Sequence, residues 1–127
     1  MKTSNFESWE LIKDLPNDLY FYGLEDTSDS LIILLKSINE GRILKLIFEG
    51  VLTYRVTKEA GRSKTLYENK SLRGFQIATK SEYLQWFKEE SSGMFEDDDL
   101  RHYYICNTDN ILDIVSGPPV DVKWINL

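Results

Sequence analysis

One histidine, one cysteine and three prolines in 127 residues is a sparse inventory, and each scarcity closes off a class of chemistry. A lone Cys106 cannot form an internal disulfide, which fits a reducing compartment. A lone His102 leaves a zinc site short of the three or four ligands it needs. On a strand, His102 and Cys106 of "RHYYICN" would share a face yet lie roughly 13 Å apart, too far for one ion to bridge. The neighbouring aspartates in "EDDDLRHYYICN" lack the spaced ligands and mid-loop glycine of a calcium loop. No serine sits in a nucleophile elbow, Cys106 has no recognisable protease context, and Gly41, Gly50, Gly61 and Gly74 are too scattered to cradle a phosphate. A single strand histidine serves structure more often than catalysis, so no catalytic residue, metal or cofactor is assigned.

Long apolar runs are missing too. No stretch approaches the ~20 residues that cross a membrane as a helix, and "MKTSNFESWELIKDLP" lacks the continuous apolar core of a secretory signal. These features predict a cytoplasmic protein without a membrane partner. Pro16, Pro118 and Pro119 lie near the two ends, and no repeat or Pro/Gly-rich linker divides the rest, which implies one domain over 1–127.

What is plentiful is charge, unevenly placed. The net charge is −6, and residues 89–99, "EESSGMFEDDD", hold Glu89, Glu90, Glu96, Asp97, Asp98 and Asp99 with no base among them. Taking these six from the 21 acids leaves 15, equal to the 15 lysines and arginines, so one segment carries the entire excess. Residues 55–80 are the counterweight, with seven bases against Glu59 and Glu68.

The patterning reads as α+β, a mostly antiparallel and strongly bent β-sheet of about eight strands with one main helix near residues 80–91. "SWELIKDL" and "LYFYGL" read as short strands. Two apolar runs around "NEG" form a hairpin, with Gly41 supplying the left-handed turn residue and Leu44, Leu46 and Phe48 on one face. After Gly50 the alternation shifts phase, to Leu52, Tyr54 and Val56, which predicts a sharp bend. Within the basic section, "KEAGRSKTLYENKSLRG" (58–74) has little apolar periodicity and reads as a long loop or loose hairpin, followed by a short strand, "FQIAT". In "TKSEYLQWFKEESSG", Thr79 and Glu82 match a capping box, while Tyr83, Leu84, Trp86 and Phe87 supply an apolar stripe. The remainder is "RHYYICN", a turn at "TDN", "ILDIVS", and a last strand in which Val120, Val122 and Trp124 alternate.

Two surfaces follow from the charges. Glu89, Glu90, Glu96, Asp97, Asp98 and Asp99, with Trp86 and Phe95 as anchors, would attract and select a basic protein partner. Arg55, Lys58, Arg62, Lys64, Lys70 and Arg73 would alternatively grip nucleic acid phosphates, a reading opposed by the overall negative charge. An exposed edge strand would serve a homodimer as well as another protein.

The segments "IFEGVLTYRVTKE", "SEYLQWFKEESSG" and "LRHYYICNTDNILDIVS" resemble small bacterial proteins encoded beside polymorphic toxins, many of which act as immunity proteins. That resemblance implies a cytoplasmic protein that binds one toxin domain and blocks it, often through acidic groups facing a basic nuclease. It transfers no individual functional residue.

Overall fold

Along residues 30–37 side chains alternate between buried and half-buried, with Leu31, Ile33 and Leu35 wholly covered, as expected of a strand with one face on a core. The computed structural model, which describes residues 4–107 and 109–125, repeats this logic in nine strands. In chain order these are β1 (Glu7–Ser8), β2 (Leu19–Asp26), β3 (Ser30–Ser37), β4 (Ile43–Glu49), β5 (Thr53–Lys58), β6 (Gly74–Ala78), β7 (Arg101–Asn107), β8 (Asn110–Ser116) and β9 (Val120–Ile125). A 3₁₀ turn at Glu59–Arg62 leads into α1 (Ser63–Glu68), and α2 (Glu82–Glu90) joins β6 to β7. Among the described residues no helix is long and apolar enough to cross a membrane.

The strands form two antiparallel sheets, ordered β2-β3-β4-β9 and β1-β6-β7-β8-β5. The expected bend at Gly50 is the place where the chain leaves the first sheet for the second, between β4 and β5. Its φ of +68° is a conformation side-chain-bearing residues resist. Gly41 turns the β3–β4 hairpin at φ +69°, as its sequence context predicts. Between Phe21 and Gly23 the β2 register slips, and this bulge keeps Leu19, Phe21 and Leu24 all on the core side.

Between the sheets lies the main core, built from Leu31, Ile33, Leu35, Leu44, Leu46 and Phe48 on one side and Tyr103, Ile105, Leu112 and Ile114 on the other. The second sheet is buried on its other face as well. Tyr104, Cys106 and Ile111 pack under Leu66 of α1 and Leu72, while Val115 packs under Tyr83, Leu84 and Phe87 of α2. β7 and β8 are therefore covered on both faces, which explains their near-continuous apolar sequences.

Three expectations need correction. Of the expected "SWELIKDL" strand only Ser8 lies in a strand, the second residue of β1; from Trp9 onward the chain leaves the sheet, and Trp9, Leu11, Ile12 and Leu15 pack against the core. The segment 58–74 is no long loop, since it contains the 3₁₀ turn and α1. The cap of α2 is Ser81 rather than Thr79, its side chain accepting from the Leu84 N–H. Met1–Thr3, Thr108 of the expected "TDN" turn and Asn126 and Leu127 of the expected last strand lie outside the described residues.

Phe48 has no exposed surface and meets the rings of Trp9 and Tyr103 at 6.2 and 5.3 Å. Phe48→Ala should cost about 3–5 kcal/mol, whereas Ile47→Ala, on the half-covered outer face, should cost well under half as much. Urea denaturation midpoints of the two variants provide the comparison.

Candidate functional site

The acidic segment starts on α2 and continues through a succession of turns to Leu100, whose burial returns the chain to β7. Tyr83, Leu84 and Phe87 form the buried stripe of the helix, leaving Glu82, Gln85, Trp86, Glu89 and Glu90 on the solvent side. Trp86, part of the expected apolar stripe, is 48 % exposed and stacks against Tyr83 with ring centroids 5.6 Å apart and planes 6° from parallel. Phe95 turns inward onto Phe87 at 5.4 Å and pins the segment, while Met94 projects outward. All six carboxylates are exposed. Among the described residues their one ion pair is Asp99 with Arg101 at 3.5 Å, and Glu89 accepts a hydrogen bond from Gln85 at 3.1 Å.

The basic residues are divided among several places. Arg55, Arg62 and Lys64 meet at a cleft of about 560 Å³ over the outer face of the second sheet. Arg73 lines a separate depression with Glu59 and Asp109, and its guanidinium donates to the Leu72 carbonyl. Lys58, Lys64 and Lys70 are exposed. Glu68, Glu82 and Asp113 also line the 560 Å³ cleft, so its charges balance three against three when His102 is neutral.

The floor of that cleft holds a polar chain that the sequence reading missed. Asp113, with no exposed surface, accepts from Arg55 Nε at 2.9 Å and from Arg62 Nη1 at 2.6 Å on one carboxylate oxygen. Its other oxygen lies 2.6 Å from His102 Nε2, and His102 Nδ1 lies 2.7 Å from Ser81 Oγ. One proton arrangement satisfies every atom: the Leu84 N–H donates to Ser81 Oγ, Ser81 O–H to Nδ1, and Nε2–H of a neutral imidazole to Asp113. Phe6 and Tyr83 close over the imidazole at 5.0 and 5.3 Å, and Arg55 lies 4.2 Å over the Tyr83 ring. Burial alone would raise the Asp113 carboxyl, but the hydrogen bond and electrostatic interaction with His102, followed by the charges of Arg55 and Arg62, outweigh it and hold the group well below the usual carboxylate range.

A hydroxyl, an imidazole and a carboxylate in line match the outline of an acyl-transfer relay. The electrostatics differ. In such a relay the carboxylate serves the imidazole, whereas here Asp113 also accepts from Arg55 and Arg62 on its other oxygen. Ser81 is also occupied, capping α2 while only 4 % exposed. The chain of bonds is thus suited to fixing α2 against the second sheet.

His102 and Cys106 do share a face, as strand geometry predicts, but Cys106 sits apart in the apolar cluster of Leu66, Leu72, Tyr104 and Ile111, where burial pushes its thiol up. The signal that could have disclosed the network is Asp113 itself. A carboxylate inside "ILDIV", flanked on both sides by buried apolar residues, must find cations or donors. Its partners lie 58, 51 and 11 residues away, and nothing in the sequence specifies which they are.

No protein-family model, curated protein or solved structure matches the chain.

Asp113→Asn leaves the largely covered Arg62 guanidinium without its counter-charge and breaks the buried network, which should cost about 3 kcal/mol. It should also alter the acid response. A carboxyl whose folded pKa is depressed contributes stability above its ordinary value of about 4, and that contribution is lost as pH falls toward the folded value. Thermal midpoints measured downward from pH 6 should therefore fall less steeply in the variant than in the native chain.

Proposed function

We propose that the protein is a binding module without catalytic activity, and most concretely an immunity protein that neutralises a basic toxin domain through the surface spanning Trp86 and residues 89–99. The observation that supports this is the state of the carboxylates. Five of the six, all but Asp99, are exposed and in no ion pair among the described residues, although the chain has bases enough to pair them.

Among the described residues the fold relieves that repulsion only at Asp99, through Arg101. Glu89 and Glu90 occupy the last turn of α2, where carboxylates oppose the helix dipole and a lysine would be the stabilising choice. Groups retained at a cost to stability are understandable if a cationic partner compensates them on binding. Such a charge field steers a basic protein into encounter and makes association sensitive to salt, and the half-exposed Trp86 beside it supplies the large, rigid contact that interface centres favour.

The nucleic acid alternative has less in its favour, because Arg55 and Arg62 already donate to Asp113 and acids balance the cations of their cleft.

The experiment pairs this chain with the product of a toxin gene adjacent to its own. Co-expression should restore growth of cells producing that toxin. The triple variant Asp97→Asn, Asp98→Asn, Asp99→Asn should slow association of the purified pair roughly tenfold at low salt and flatten its salt dependence. Growth rescue with association rates unchanged in the triple variant would refute the electrostatic mechanism, and failure of rescue by the native chain would refute the immunity reading.

A further inference from the structure

We propose that the outer face of Trp86 is the seat of an arginine side chain supplied by the basic partner. This rests on the binding-module reading and adds to it which cation the surface selects.

Trp86 is a platform already fixed from one side. Its indole lies nearly parallel to the ring of Tyr83, which is only 8 % exposed and is itself held by the Arg55 guanidinium and by a hydrogen bond shared with Thr53 Oγ1 at 3.1 Å. The remainder of the indole is open. On the helix surface Glu82 lies one turn before Trp86, with Glu89 and Glu90 one turn after. All three are exposed, and among the described residues none forms an ion pair.

A flat aromatic surface with carboxylates one helical turn to either side favours a flat cation. A guanidinium laid on the indole keeps its N–H groups in the ring plane, directed outward to the carboxylates, so stacking and hydrogen bonding are satisfied together. An ammonium has no plane to stack and holds its hydration shell more tightly. The described residues contain this arrangement within the fold itself: the Arg42 guanidinium lies 3.9 Å over Trp124 while its Nε pairs with Glu40 at 2.8 Å, and Arg55 lies 4.2 Å over Tyr83 while its Nε pairs with Asp113 at 2.9 Å. At Trp86 the aromatic ring and the acids are present, and the cation is the component that a partner would bring.

The test uses fluorescein-labelled octa-arginine and octa-lysine, which match in charge, with binding read by anisotropy at low salt. The native chain should bind octa-arginine about tenfold more tightly than octa-lysine. Trp86→Ala should remove that preference, and Trp86→Phe should keep part of it. The triple variant Asp97→Asn, Asp98→Asn, Asp99→Asn should weaken both peptides alike. Equal affinity of the native chain for the two peptides would overturn the arginine seat while leaving the acidic surface standing; binding of neither would overturn both. A labelled oligothymidylate that binds the native chain and is lost in Trp86→Ala would reassign the platform to nucleobases. Because Trp86 lies on the exposed face of α2, its variants should melt within a few degrees of the native chain, and circular dichroism verifies this.

Discussion

One carboxylate without exposed surface ties together parts of the chain that are distant in sequence. Asp113 stands in β8 and is held by Arg55 of β5, by Arg62 of the 3₁₀ turn and by His102 of β7, and through His102 it reaches Ser81 at the head of α2. Removing a carboxylate from water costs several kcal/mol, and the cost is offset only when partners and hydrogen bonds are in place together. The network is therefore cooperative in its assembly: strand pairing positions His102 and Asp113, the turn after β5 delivers Arg62, and the cap of α2 closes the chain of bonds.

The consequences reach the proposed binding face. At nine residues α2 is too short to be stable by itself in water. Its apolar stripe attaches it to the second sheet, while the Ser81 cap and the Tyr83 contacts with Arg55 and Thr53 fix where it begins and how it is rotated. Trp86 and the first two carboxylates of the acidic run are carried outward by that placement. Apolar packing, the buried network and surface charge are thus successive layers of one construction.

What could be read in advance divides along physical lines. Local signals were legible: the period-2 burial of β3 and β4, the turn at Gly41, the change of sheet at Gly50 and the extent of α2 all follow from residues close in sequence. Elements held by distant contacts were not. α1 buries only Leu66, so its six residues carry too weak a periodicity to separate it from a loop, and the Arg62 contact with Asp113 that secures its start is not local. Trp86 was misplaced within the stripe because hydrophobicity alone does not distinguish a ring facing the core from one lying across a neighbour on the surface. The exposure of the acidic run was legible, since six carboxylates close in sequence with no base among them favour solvent, unlike Asp113, whose apolar neighbours carry it inward. Its relation to the buried network required the fold.

The claim on which this account turns is that the Asp113 network positions α2. Amide hydrogen exchange in Asp113→Asn examines it residue by residue. The account predicts that the Leu84 and Gln85 amides, bonded to Ser81 in the native chain, lose protection by at least an order of magnitude more than those of Ile33 and Leu46 in the opposite sheet. Unchanged protection at Leu84 in a folded variant, or equal acceleration in both sheets and the helix, would contradict it.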